Sequence, residues 1–172
     1  MVSDVILKPA LCLDLDGTIR YSKSGEFINT IEDIALFDGI ENKLWFYRTE
    51  MRFLILGISN QGGVAYGYKT PRDIENEVNA TIGLFNNNPF HMIKMCYHHE
   101  DGSIEPYNTR SLLRKPNIGM LVLCEHECFE NGYMIDWSNS LFVGDRPEDQ
   151  QCARNAGIAF RWAWDFFGRP KR

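Results

Sequence analysis

Leu13-Asp14-Leu15-Asp16-Gly17-Thr18 decides the reading of this chain. An apolar run over 11–15 leads into it, so Asp14 and Asp16 stand close together where a buried strand ends. Carboxylates so near each other repel, and a divalent cation relieves them. Further apolar runs over 53–58, 92–97, 141–143 and 158–162 predict more strands. Amphipathic stretches alternate with them. The stretch over 39–51 places Ile40, Leu44 and Tyr47 on one face, and that over 70–85 sets Ile74, Val78 and Ile82 inward at spacing four. Thr70 is the N-cap of the latter, Pro71 its first residue and Asp73 the closing member of a capping box. Helices over 117–130 and 147–156 stop at Asn131-Gly132 and at Gly157. Alternation of this kind predicts an α/β fold, one domain over 1–172, with a central parallel sheet covered by helices on both faces.

Ligands of such sheets bind beyond the carboxyl ends of the strands, so the residues just after each strand are the candidate site. They are polar in each case. The first strand runs into Asp14, Asp16, Gly17 and Thr18, the second into Ser59, Asn60 and Gln61, and 141–143 into Gly144, Asp145 and Asp149. Lys115 precedes the helix at 117. Oxygen ligands alone suit Mg²⁺. Asp14 can attack phosphorus, Asp16 can protonate the leaving oxygen and later deprotonate water, and Ser59 and Lys115 can hold the phosphoryl oxygens and balance their charge. An Asp-x-Asp, a Ser-Asn-Gln or a Lys-Pro standing alone is an ordinary turn, loop or helix start. Together, each at an element boundary, they point to phosphoryl transfer.

These motifs resemble the haloacid dehalogenase (HAD) phosphatases, subclass IIIA. Residues 13–18 match the first motif, Ile58-Ser59-Asn60-Gln61-Gly62-Gly63 the second, Arg114-Lys115-Pro116 with Gly119-Met120 the third, and residues 143–149 the fourth. The resemblance implies a Rossmann-like three-layer α/β/α sandwich. It also implies an Asp14 nucleophile, an Asp16 acid/base, phosphate binding by Ser59, Asn60 and Lys115, and Mg²⁺ held by Asp14, Asp145 and the Asp16 carbonyl, with Asp149 behind them. The gaps between motifs leave no room for a large cap. Thr18, Arg20, Gln61, Arg110 and Arg114 are then candidate substrate contacts.

Two relatives within the class divide the substrate question. Cys96-Tyr97-His98-His99 and Arg114-Lys115-Pro116 resemble heptose bisphosphate and histidinol phosphate phosphatases, which implies a sugar or other small phosphorylated metabolite. Their zinc knuckle is incomplete here, because Ser111 and Leu113 stand where later cysteines are expected, so Cys96 and His98 read as metal-free packing. The stretch from Thr18 to Phe27 and the ending Trp164-Asp165-Phe166-Phe167 resemble the 3′-phosphatase domain of polynucleotide kinase/phosphatases, which implies a nucleic acid 3′-phosphate end. Tyr21, Tyr66 and Tyr107 are candidate stacking surfaces for it. A non-catalytic phosphate- or partner-binding module is a third reading, opposed by the intact nucleophile and metal ligands.

Composition bounds the rest. The net charge of −5 excludes bulk electrostatic nucleic-acid binding but not local basic patches at Arg110, Arg114 and Lys115 and at Arg169, Lys171 and Arg172, the latter reading as a solvated tail. No apolar stretch approaches membrane-span length, and residues 1–4 open no leader pattern. The 5 scattered cysteines read as reduced thiols in a cytoplasmic setting, on a monomer or small homo-oligomer.

Overall fold

The computed structural model describes residues 5–25 and 27–171. The leader reading at residues 1–4, Glu26 in the Thr18-to-Phe27 stretch and Arg172 of the basic tail lie outside the described residues. In chain order the elements are β1 (Ile6–Lys8), β2 (Ala10–Leu13), β3 (Arg20–Ser22), β4 (Ile34–Leu36), α1 (Ile40–Thr49), β5 (Leu54–Asn60), α2 (Pro71–Gly83), β6 (Met92–Cys96), α3 (Gly119–Glu130), β7 (Tyr133–Ile135), β8 (Leu141–Gly144), α4 (Pro147–Asn155), β9 (Ala159–Trp162) and α5 (Ala163–Phe167).

Strands β6-β5-β2-β8-β9 form one parallel sheet in that order. The chain adds strands to one side of β2 and then to the other, so a crevice opens where the direction reverses, between β2 and β8. Leu13 is level with both Gly57 and Val143, which brings the polar residues after three strands to one edge.

The period of two along each strand sorts the core into two layers. Ala10 and Cys12 of β2, with Leu54, Leu56 and Ile58 of β5, face Met120, Leu121, Cys124 and Cys128 of α3 and Cys152 and Ala153 of α4. Leu11 and Leu13, with Ile55, face Ile40 and Leu44 of α1, Val78 of α2, and Ala163 and Phe166 of α5. All 5 cysteines are free and buried. Among the described residues no helix is long and apolar enough to cross a membrane. The helix-start reading at Thr70 meets a full capping box: Thr70 N–H donates to Asp73 Oδ2 at 2.7 Å and Asp73 N–H to Thr70 Oγ1 at 3.2 Å.

Two features differ from the sequence expectation. Strand β2 ends at Leu13 rather than at 15, because the chain turns at Asp14. Leu15 still packs into the core, and its carbonyl accepts the N–H groups of Thr18, Ile19 and Arg20 at 3.2, 2.8 and 3.0 Å. Short pairs also appear that the periodicity did not announce: the antiparallel hairpin β3–β4, which flanks the cleft, and the parallel pair β1–β7. Each strand has only 3 residues, too few for an alternation to register.

Candidate active site

Lys115 sits at the floor of the sheet edge and is 3 % exposed. Its Nζ donates to Asp14 Oδ1 at 2.6 Å and to the Ile58 carbonyl at 2.7 Å, and lies 2.7 Å from Asp149 Oδ1. Its backbone is fixed as well. The Asn60 side chain accepts the Lys115 N–H at 3.0 Å and donates to the Lys115 carbonyl at 3.1 Å. Asn60, expected at the phosphate, lines the cleft and also holds the lysine in place with both ends of its amide.

Asp149 stands in the first turn of α4. Its Oδ2 accepts the N–H groups of Asp145 and Arg146 at 3.1 and 3.0 Å. A Cβ on Gly144 would lie 2.4 Å from this side chain, so only glycine admits it. A Cβ on Gly17 would likewise lie 2.2 Å from Asp145 Oδ2, and Gly17 takes φ +82°. These two glycines let three carboxylates converge: Asp14, Asp145 and Asp149 each offer an oxygen within 4.8 Å of the others.

Electrostatics follow from this crowding. Burial pushes the Asp14 carboxyl well above its ordinary range; Lys115 opposes that, and Asp149 and Asp145 add to it. Burial and then Asp149 raise Asp145. Burial works against the charge on Lys115, yet Asp14 and Asp149 outweigh it and hold the ammonium charged above the usual lysine range. A single buried cation against three carboxylates leaves the cluster short of positive charge. The donor set and this deficit fit a hard divalent cation.

Asp16 lies in a different environment. Arg20 Nε donates to its Oδ1 at 2.7 Å and Gln61 Nε2 to its Oδ2 at 2.6 Å. Burial acts to raise its carboxyl, but the Arg20 charge and these hydrogen bonds prevail and leave it below the usual range. Gln61 also donates to Ser59 Oγ at 2.8 Å, tying the ends of β2 and β5 together. Ser59 is 1 % exposed, beneath Gln61. Thr18 is fully buried, with Oγ1 3.4 Å from Asp145 Oδ1.

The expected substrate contacts separate accordingly. Arg114 and Gln61 line an open cleft of about 1460 Å³ that also exposes Asp14, Asp16, Lys115 and Asp145. Arg20 does not reach it, because its side chain is fully buried and engaged below. Arg110 pairs with Glu100 on the exposed surface and does not line the cleft. Among the described residues, Cys96 and His98 gain no third His, Cys, Asp or Glu that would complete a metal group. Of the proposed stacking residues, Tyr66 and Tyr21 line the cleft, Tyr21 packing also on Phe37, whereas Tyr107 packs on Tyr97 and His98 and does not line it. The sequence passes over Glu77 and places Arg169 in a solvated tail. Arg169 is no solvated tail: it donates to the carbonyls of Gly17 and Thr18 at 2.6 and 3.1 Å and covers the Phe37 ring at 3.4 Å.

The geometry has counterparts among known proteins. The family model described as polynucleotide kinase 3 phosphatase matches residues 10–167. A D-glycero-D-manno-heptose-1,7-bisphosphate 7-phosphatase of Chlorobaculum tepidum is 31% identical over 151 residues, spanning 86% of this chain and 74% of the relative. The D-glycero-beta-D-manno-heptose-1,7-bisphosphate 7-phosphatase of Escherichia coli K12 is 29% identical over 152 residues, 87% of this chain and 75% of its own. Among solved structures, the D,D-heptose 1,7-bisphosphate phosphatase of B. bronchiseptica, complexed with magnesium and phosphate, shares the fold at TM-score 0.68 and 22% identity, covering 90% of this chain and 78% of that one. The class is thereby defined as a phosphoric monoester hydrolase of the HAD type. Within that class the chain belongs to the polynucleotide kinase 3 phosphatase family.

Proposed function

We propose that the chain hydrolyses a sugar phosphate of the heptose bisphosphate type through a phosphoenzyme on Asp14. The observation that carries this reading is the Lys115 centre, where a buried ammonium fixes one oxygen of Asp14 at the switch point of the sheet. With Oδ1 engaged, Oδ2 attacks phosphorus and the ester P–O bond breaks; Asp16, which takes up a proton from water as the substrate's negative charge enters beside it, passes that proton to the leaving oxygen. Water then attacks the aspartyl-phosphate phosphorus, Asp16 takes the proton, and phosphate leaves with Asp14 restored. Lys115 balances the charge of Asp14 and the phosphoryl oxygens throughout. Asp14, Asp145 and the Asp16 carbonyl would hold Mg²⁺, with Asp149 behind them; the ion would supply the positive charge that the carboxylates lack.

The sugar phosphate reading is supported by the relatives' named substrate and by a cleft with Arg114 on its wall. A second reading, a polynucleotide 3′-phosphatase, is favoured by one surface feature besides the family's description. Tyr66 and Tyr68 stack on the cleft rim with ring centroids 5.8 Å apart, and Tyr68 is 81% exposed, a platform on which a base can lie.

The test is phosphate release with Mg²⁺ and with EDTA from heptose bisphosphate, histidinol phosphate, other sugar phosphates, nucleotides and an oligonucleotide 3′-phosphate. The primary reading expects the bisphosphate to dominate and Asp14→Asn to abolish turnover. Dominance of the oligonucleotide, falling steeply with salt, would transfer the assignment to the second reading. Release that survives Asp14→Asn would remove both.

A further inference from the structure

Arg20 is the bulkiest fully buried side chain among the described residues. Burying a guanidinium is costly unless every donor is matched, and an apolar side chain would fill the same space without that cost. Its donors divide between two directions. On one side Nη1 donates to Thr81 Oγ1 at 2.8 Å and Nη2 lies 3.6 Å from Glu77 Oε2, both on the inner face of α2. That face is itself secured, since Thr81 Oγ1 donates to the Glu77 carbonyl at 2.7 Å and Lys69 Nζ to Glu77 Oε1 at 2.6 Å. On the other side Nε and Nη2 face the two oxygens of Asp16, at 2.7 and 3.5 Å. The planar fork reads both directions at once, which a lysine cannot do.

We propose that Arg20 is a positioning residue for the reaction: anchored on Glu77 and Thr81 of α2, it fixes the orientation from which the Asp16 carboxylate serves the leaving oxygen. The assignment rests on the reading of Asp16 as the acid and base. The backbone of the loop is held separately, by Arg20 N–H to the Leu15 carbonyl at 3.0 Å and Gly17 N–H to the Arg20 carbonyl at 2.9 Å. Side-chain substitutions at Arg20 therefore leave the loop's own hydrogen bonds in place and report on Asp16.

The test compares Arg20→Lys with wild type on two phosphomonoesters, p-nitrophenyl phosphate and a hexose 6-phosphate, reading kcat/KM, which reports the step up to phosphoryl transfer. The aryl leaving group departs without a proton, whereas the alkoxide of the sugar needs one. Loss of orientation is expected to lower kcat/KM on the sugar ester by roughly 100-fold and to spare the aryl ester by at least about ten-fold relative to it. A general structural defect lowers both alike, so equal losses, or no loss on the sugar ester, overturn the proposal. Should Arg20→Lys fail to fold in a thermal melt, Thr81→Val asks the same question with both charges retained, and the same unequal loss is expected at smaller size. Asp14→Asn distinguishes the underlying reading: wild-type turnover in that variant overturns the phosphatase mechanism itself, whatever Arg20 does.

Discussion

Two buried cations organise this molecule, and they are built to opposite ends. Lys115 faces Asp14 and Asp149, with Asp145 alongside; Arg20 faces Asp16 and Glu77, with Lys69 completing the group. In the first centre positive charge falls short, and burial with carboxylate crowding raises Asp14 and Asp145. In the second, two cations meet two carboxylates; burial raises Glu77, while Arg20 and the hydrogen bonds to Asp16 outweigh burial and hold Asp16 below its usual range. A point charge with one edge toward a cleft suits chemistry that brings further charge. A forked guanidinium closed on all sides suits geometry that must not change. The difference separates the part of the site that takes a ligand from the part that holds it ready.

The comparison breaks most readily at Lys115. Lys115→Met is expected to lower kcat by about 10²–10³-fold, measured by phosphate release under saturating substrate. Its counterpart, Arg20→Met, should be felt in folding as much as in turnover. Removing one partner of a buried ion pair leaves Glu77 with Lys69 alone and Asp16 without its cation, and costs about 3–5 kcal/mol in urea unfolding. Pairing it with Glu77→Gln should restore much of that loss; no restoration would mean that the cost lies in packing rather than charge.

A smaller effect carries the opposite sign. Asp145→Asn removes one of the crowded carboxylates, so in EDTA the variant should melt about 2–4 °C above wild type while losing activity. The smallest effect is the pH dependence of that gap. Asp145 is raised in the fold, by burial first and then by Asp149. Between its unfolded and folded values the native state binds the extra proton, so the strain it contributes is fully present at high pH and relieved as pH falls through the folded value. Wild type should therefore approach Asp145→Asn in melting temperature on acidification in EDTA. A gap that widens would reverse the assignment of strain.

How legible the two centres were in the sequence differs for a physical reason. Asp14, Ser59, Lys115 and Asp145 stand at element boundaries, where a polar residue ending an apolar run is itself the signal. Arg20 follows a loop and reads as a candidate substrate contact, since most arginines are exposed. The clue to its burial lay elsewhere, on α2. Ile74, Glu77, Val78 and Thr81 recur at the spacing of one helix face, so a carboxylate and a hydroxyl sit on the apolar side and call for a buried partner. The identity of that partner is a tertiary fact. The hairpin β3–β4 that begins with Arg20 was equally hidden, being too short for a period to declare itself.

The claim that one centre takes a cation and the other does not is tested most directly by titrating Mn²⁺ into the metal-free protein and following the free ion by EPR. Wild type should bind at one site, Asp145→Asn should weaken it by at least about ten-fold, and Glu77→Gln should leave it unchanged. Wild-type affinity in Asp145→Asn, or loss of binding in Glu77→Gln, would contradict the division between the two centres.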